Sequence, residues 1–267
     1  MTWLSKFFKF REKSDGDVVK PFLEHMEDLR WVIIKIVLTM MVSMGTSFFF
    51  VKDLMHLLRI PLREVSPELE SMLVVHKITE SFMITIELAF FAGIVLALPF
   101  LIYFLAGFIL PALTRQEKKF LFPGIAGSTA LFAAGVVASY HYILPKTLKF
   151  FYDDSLEAGV KIMWSWKDYL SFASWLTIGL GLLCQLPIVV IVLSIVGLVD
   201  YPLLSRTRAY AISGILILSG IVAPTPDPIT LLTLAAPVIL LYEACIWIVW
   251  LLDRRKKKRA ALDDFAG

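Results

Sequence analysis

Two stretches of this 267-residue chain set acidic side chains where a cation can be held. Near the start, Phe22-Leu23-Glu24-His25-Met26-Glu27-Asp28-Leu29-Arg30 places three carboxylates within five residues. Further on, Gly107-Phe108-Ile109-Leu110-Pro111-Ala112-Leu113-Thr114-Arg115-Gln116-Glu117-Lys118-Lys119 leaves Glu117 on a short loop after Pro111 ends an apolar helix. A carboxylate accepts the planar guanidinium fork of arginine through two parallel, charge-assisted hydrogen bonds. Lysine, a compact point charge, does not reproduce that contact. Each hydrogen bond to a charged group contributes roughly 1.5–3 kcal/mol net. Two such carboxylates near a membrane surface would each suit one arginine. Taken singly, Glu24, Glu27, Asp28 and Glu117 equally suit an ordinary solvated face.

A second set of polar residues interrupts apolar runs: Glu87, Gln185 and Glu243. An ionised carboxylate deep in a bilayer costs at least about 2.5 kcal/mol, so it is normally protonated, paired or wetted. Gln185 and Glu243 have two readings. They form a polar patch inside a concave bundle face, or they make helix–helix hydrogen bonds of about 0.6 kcal/mol each. For Glu87 the expectation is a packing role near an interface. Catalysis has little to stand on. His25, His56, His76 and His141 fall in tails, loops or span ends, and Ser128 has no histidine at its depth to activate it. No enzyme, cofactor or metal site is expected, and Cys184 and Cys245 read as small core hydrophobes.

The elements carrying these residues are long apolar runs: 31–51, 82–110, 121–144, 169–196, 209–223 and 229–252. A helix rising 1.5 Å per residue needs about 20 residues to cross roughly 30 Å of hydrocarbon. Five runs exceed that, and the one short run, 209–223, is paired with the last by Pro224-Thr225-Pro226-Asp227-Pro228. A hydrophobic fraction of 58% and a mean hydropathy of +0.76 agree. The chain reads as an all-α polytopic membrane protein of six transmembrane helices in a concave bundle. Its parts are a tail over 1–30 with the acidic amphipathic motif, a membrane domain over 31–252 and a basic tail over 253–267. With no apolar stretch in residues 1–30, the first span is expected to direct insertion.

Lysine and arginine set the orientation. The N-terminal tail carries six, the 111–120 loop three, Arg206 and Arg208 two, and the C-terminal tail six. The opposite loops, 52–81 and 145–168, carry four each. The positive-inside rule places both termini in the cytoplasm. In the outer loops, Leu54 to Leu58 suits a small amphipathic helix, with Pro61 and Pro67 as breakers. Trp164 and Trp166 suit the interface. In the tail, Trp3, Phe7, Phe8 and Phe10 interleave with Lys6, Lys9 and Arg11, as in a short interfacial anchor or a disordered basic start. Phe22, Met26 and Leu29 predict a helical segment along the membrane surface. Gly124 with Ser128, and Gly135 with Ser139, are small pairs four apart that allow close helix packing. Pro99, Pro187 and Pro237 should bend spans two, four and six.

These residues together resemble the twin-arginine translocase TatC family over nearly the whole chain. Phe108-x-x-Pro111-Ala112-Leu113-x-x-x-Glu117-Lys118 resembles the family's first cytoplasmic loop. His25-Met26-Glu27-Asp28-Leu29-Arg30 is similar to its His-Leu-x-Glu-Leu-Arg, with Asp28 at the position of the family Glu. Pro224-Thr225-Pro226-Asp227 and Leu241-Tyr242-Glu243 resemble its proline-rich tip and Leu-[FY]-Glu ending. Cys184-Gln185-Leu186-Pro187 resembles [FY]-Glu-x-Pro, with Gln185 replacing Glu.

The resemblance implies a signal-peptide receptor and export core in a bacterial or archaeal cytoplasmic membrane, driven by the proton-motive force. Its ligand site would comprise His25, Glu27, Asp28, Arg30, Phe108 and Glu117. Its partners would be twin-arginine signal peptides of folded cargo, TatA-like and TatB-like single-span proteins, further copies of the chain and membrane lipids, with no nucleic acid. Ile221 and Val222 would meet TatB-like helices, and Asp227 and Thr230 lie near the candidate edge for TatA-like ones. The alternative function is a proton-coupled solute transporter using Glu243.

Overall fold

The structure is a computed structural model that describes residues 22–109, 121–159, 163–196, 199–222 and 227–266. It is almost wholly helical. The elements are α1 (Phe22–Phe48), α2 (Val51–Val65), α3 (Pro67–Ser71), α4 (Glu80–Ile109), α5 (Leu121–Ala138), a π-helical turn (Ser139–Ile143), α6 (Leu144–Glu157), α7 (Trp166–Leu183), α8 (Leu186–Val196), α9 (Tyr201–Arg206), α10 (Arg208–Val222) and α11 (Pro228–Ala266). Five stretches are long and apolar enough to cross a membrane: Met26–Phe48, Glu80–Ile109, Phe122–Glu157, Trp166–Ser194 and Pro228–Leu251. Arg208–Val222 is a shorter apolar helix. This is a multi-pass membrane protein with the expected order of spans.

α1 packs almost entirely on α4; α4, α5 and α7 pack on one another; α10 touches α7 and pairs with α11, which also packs on α8. The core runs through Ile84, Leu88, Leu170, Leu176, Leu180, Leu234, Val238 and Ile246. Glycine sets the closest approaches. A Cβ at Gly93 would lie 3.0 Å from the Met44 backbone, and one at Gly135 would lie 3.0 Å from Gly181 Cα. The outer faces are apolar, with Met41, Val42, Leu240 and Ile217 all more than 60% exposed. Side chains of that kind belong against lipid or partner helices.

The helices differ from the sequence expectations at four places. Pro61 lies inside α2, and the break comes at Ser66–Pro67. The 145–168 loop is helical as far as Glu157, because α6 continues the π-helical turn without a break, with Pro145 just after that turn. The segment 22–30 is the continuous start of α1 rather than a separate surface helix. Pro99 and Pro237 lie inside unbroken helices, whereas Pro187 follows a true interruption at Cys184–Gln185.

Side chains fill the gaps the prolines leave. Pro61 has no N–H for the Leu57 carbonyl four residues back. The Tyr140 hydroxyl donates to that carbonyl at 2.6 Å, and the Tyr169 hydroxyl donates to the neighbouring Leu58 carbonyl. Tyrosines of the membrane domain thus pin α2 to the bundle. Glu80, only 6% exposed, ties the segments before α4 and α7 together. Its carboxylate accepts from His76 N at 2.7 Å, Lys77 N at 3.1 Å, Ser165 Oγ at 2.8 Å and Lys167 N at 3.3 Å. A two-bond pairing of Val74 with Trp164 and Trp166 runs alongside. Arg59 stacks 4.5 Å over the Trp166 ring, and the Arg63 fork grips Glu70 at 2.6 and 2.9 Å.

Candidate functional site

The start of α1, which carries the acidic motif, and the end of α4 lie at the same end of the helix pair. Met44 packs against Gly93, and α1 and α4 run antiparallel, so 16 residues back along α1 and 16 forward along α4 bring Asp28 level with Ile109. Phe108 is half-buried at that level, and the expected site residue Glu117 lies outside the described residues. Asp28 is half-buried and engaged within the chain, while Glu27 and Arg30 are exposed. His25 is in the first turn of α1. Among the described residues, Asp28 and Phe108 therefore lie at one level, both half-buried.

Beside them runs a shallow groove of about 280 Å³ lined by Met26, Leu29, Arg30, Ile33 and Ile34, almost wholly through apolar atoms. These positions recur at three and four residues and form one stripe of α1. Glu27 flanks it. This part of α1 thus carries the half-buried Asp28, the exposed Glu27 and a shallow apolar stripe. That combination suits a basic segment followed by apolar residues.

The other polar residues make pairs. Gln185, in the break before Pro187, accepts from Ser128 Oγ at 2.5 Å and donates its Nε2 to the Ser128 carbonyl at 3.1 Å. Both halves of the amide are used. A carboxylate here would lack the donor for the Ser128 carbonyl, so Gln fits this clasp between α5 and the α7–α8 break. Gly181 makes the approach possible, because a Cβ there would lie 2.8 Å from both Phe132 and Val136 side-chain atoms. Gln185 is thus a packing residue in this structure rather than an open polar patch.

Glu243 forms an ion pair with Arg208 at 3.2 Å, both side chains being partly exposed. Arg208 opens α10, so Glu243 sits at the level where the short helix begins. Its pairing across 35 residues was invisible in the sequence. At the other end of this hairpin, Ile221 is 73% exposed, whereas a Val222 methyl occupies the space a Cβ would take at Gly179. Asp227 Oδ2 accepts from Thr230 N at 2.6 Å and caps α11, with Pro228 at its first position. Thr230 itself is 1% exposed. Of the four expected docking residues, Ile221 alone is fully exposed in this chain. Sequence reasoning missed Glu80; an acid at the mouth of an apolar run was its one signal.

The family described as Sec-independent protein translocase protein (TatC) matches residues 24–237. A Sec-independent protein translocase protein TatC of Akkermansia muciniphila is 41% identical over 180 residues, 67% of this chain and 52% of that relative. The chain thus matches about half the length of that relative. One from Deinococcus radiodurans is 33% identical over 225 residues, 84% of this chain and 83% of the relative. A crystal structure described as the twin arginine translocase receptor TatC superposes with a TM-score of 0.76 at 31% identity, covering 85% of this chain and 98% of that one.

Proposed function

Because the chain belongs to the TatC family of Sec-independent protein translocase proteins, we propose that it is the receptor and core subunit of a twin-arginine translocation system. It binds Arg-Arg signal peptides at the end face carrying Asp28 and Glu117 and passes folded cargo across a bacterial or archaeal cytoplasmic membrane. The proton-motive force supplies the energy, and both termini face the cytoplasm. The observation that supports this reading is the packing of Met44 on Gly93, which sets Asp28 of α1 level with the end of α4 at Phe108 and Ile109. One guanidinium is assigned to Asp28 and one to Glu117, with Glu27, Arg30 and His25 around them.

TatA-like and TatB-like single-span proteins are the proposed membrane partners, with self-association in a complex. The exposure of Ile221 supports a TatB-like helix on α10; Val222 backs it from the inner side. The Arg208 partner of Glu243 counts against the alternative of a proton-coupled solute transporter, which needs that carboxyl free to exchange a proton. A photoreactive Arg-Arg peptide tests the reading. Crosslinks are expected on the beginning of α1 and on 110–120, and adducts confined to α10 and α11 would overturn it.

A further inference from the structure

The last helix does not stop where its apolar span ends. The span closes at Leu251, and α11 runs on to Ala266. Counted from Pro228, Trp250 lies about 33 Å along the axis, slightly more than the roughly 30 Å of a hydrocarbon core. Trp247 is 63% exposed and meets the Trp250 ring edge-on at 6.2 Å. The guanidinium of Arg254, also exposed, lies 5.4 Å over the Trp250 ring. Exposed tryptophans at the end of a span mark the boundary between hydrocarbon and headgroups, and the arginine stacked beyond them belongs on the polar side of it.

Directly past that boundary, Arg254-Arg255-Lys256-Lys257-Lys258-Arg259 takes six consecutive positions of the helix. Successive positions turn by about 100°, so basic positions come on every side of the axis. From first to last they rise about 7.5 Å, close to the roughly 5–7 Å of polar layer on each side of a bilayer core. Asp253 is the one acid among residues 253–259, which leaves that stretch a net charge of +5. Asp263 and Asp264 come about 6 Å farther out. We propose that this end of α11 is a collar that binds anionic phospholipid headgroups around the last span. A docked protein would meet one side of a helix, whereas headgroup phosphates surround it at the depth where these cations stand. Each cation close to an anionic membrane surface strengthens binding about fivefold, and salt screens the effect. The collar concerns the lipid around the helix and stands independently of the receptor reading.

The test uses the full chain in phosphatidylcholine nanodiscs doped with photoreactive phosphatidylglycerol or with an equal amount of photoreactive phosphatidylcholine. Mass spectrometry maps the adducts. The phosphatidylglycerol probe is expected to label Trp250–Arg259 at least about fivefold more than the phosphatidylcholine probe. That preference should fall severalfold at high salt, and likewise in the variant combining Arg255→Gln, Lys256→Gln, Lys257→Gln and Lys258→Gln. Lys256→Arg with Lys257→Arg and Lys258→Arg, which keeps the charge, should retain it. Millimolar inorganic phosphate at matched ionic strength should leave it unchanged; its loss there would make this a site for free phosphate and overturn the lipid assignment. Equal labelling of the unaltered protein by both probes would overturn the proposal, as would a preference that survives both high salt and the four glutamines. The salt series needs no variant, so a misfolded variant does not shield the proposal.

Discussion

Replacing Gly135 by Ala tests how α5 and α7 are held together. The new Cβ would lie 2.8 Å from Cys184 Sγ, 3.0 Å from Gly181 Cα and 3.2 Å from the Leu180 carbonyl oxygen. Two of those neighbours are backbone and do not swing aside. Restoring ordinary contacts of about 3.5 Å requires the helices to part by roughly 0.5 Å. Overpacking of this kind costs about 1–3 kcal/mol. Ala also gains about 0.5–1 kcal/mol over Gly inside a helix. Gly124 on the same helix separates the two terms, because nothing lies within 4 Å of its would-be Cβ. Gly124→Ala keeps the propensity gain alone, so the pair of variants should differ by about 1–3 kcal/mol. Denaturant unfolding in mild detergent, followed by helical circular dichroism, reads the difference. The thiol of Cys184, buried against Gly135, should also react faster in Gly135→Ala. Equal stability of the two variants would refute the close-packing argument.

Other consequences follow from the side-chain pairs. A double-mutant cycle of Ser128→Ala with Gln185→Leu reads the Ser128 Oγ bond alone and should return a coupling of about 0.6 kcal/mol and no more than roughly 1.7; additivity would mean that this side-chain bond is not formed. The Arg63 fork holds the Glu70 carboxyl below the usual carboxylate range, chiefly by its hydrogen bond. Stability linked to Glu70 is therefore present above the ordinary value of about 4.3 and lost as pH falls through the lowered one. A carboxyl-labelled NMR titration should show that depression vanish in Arg63→Gln, and an unchanged midpoint would contradict it. In export assays Asp28→Glu should preserve transport and Asp28→Asn impair it; equal export by Asn would show that charge there is unnecessary.

The spans were legible because apolar runs near 20 residues have one stable outcome in a bilayer. The proposed site residues come from motifs in contiguous sequence, and of these the structure sets Asp28 level with Phe108. The rest depended on partners far apart in the chain. Nothing near Pro61 marks Tyr140 and Tyr169 as donors to the carbonyls around it, 83 and 111 residues beyond their acceptors. Gln185 is plainly polar in an apolar run, yet its commitment to Ser128 appears only once Gly135 and Gly181 bring the helices together. Glu243 looked mid-membrane when counted along α11; the shortness of α10 brings Arg208 to its level. Thr230 and Val222 illustrate the remaining gap, since the tip sequence marks an edge without saying which side chains turn inward.

The most direct measurement is the affinity of purified full-length protein for an Arg-Arg signal peptide, set beside the same peptide with Lys-Lys. Each carboxylate contact contributes roughly 1.5–3 kcal/mol, or about ten- to a hundredfold in affinity. Asp28→Ala and Glu117→Ala should each weaken Arg-Arg binding by about that factor, with Glu27→Ala doing less, and Lys-Lys should mimic the loss in the unaltered protein. Undiminished Arg-Arg binding by the folded Asp28→Ala, Glu117→Ala double variant would contradict the assignment of this end face as the receptor site.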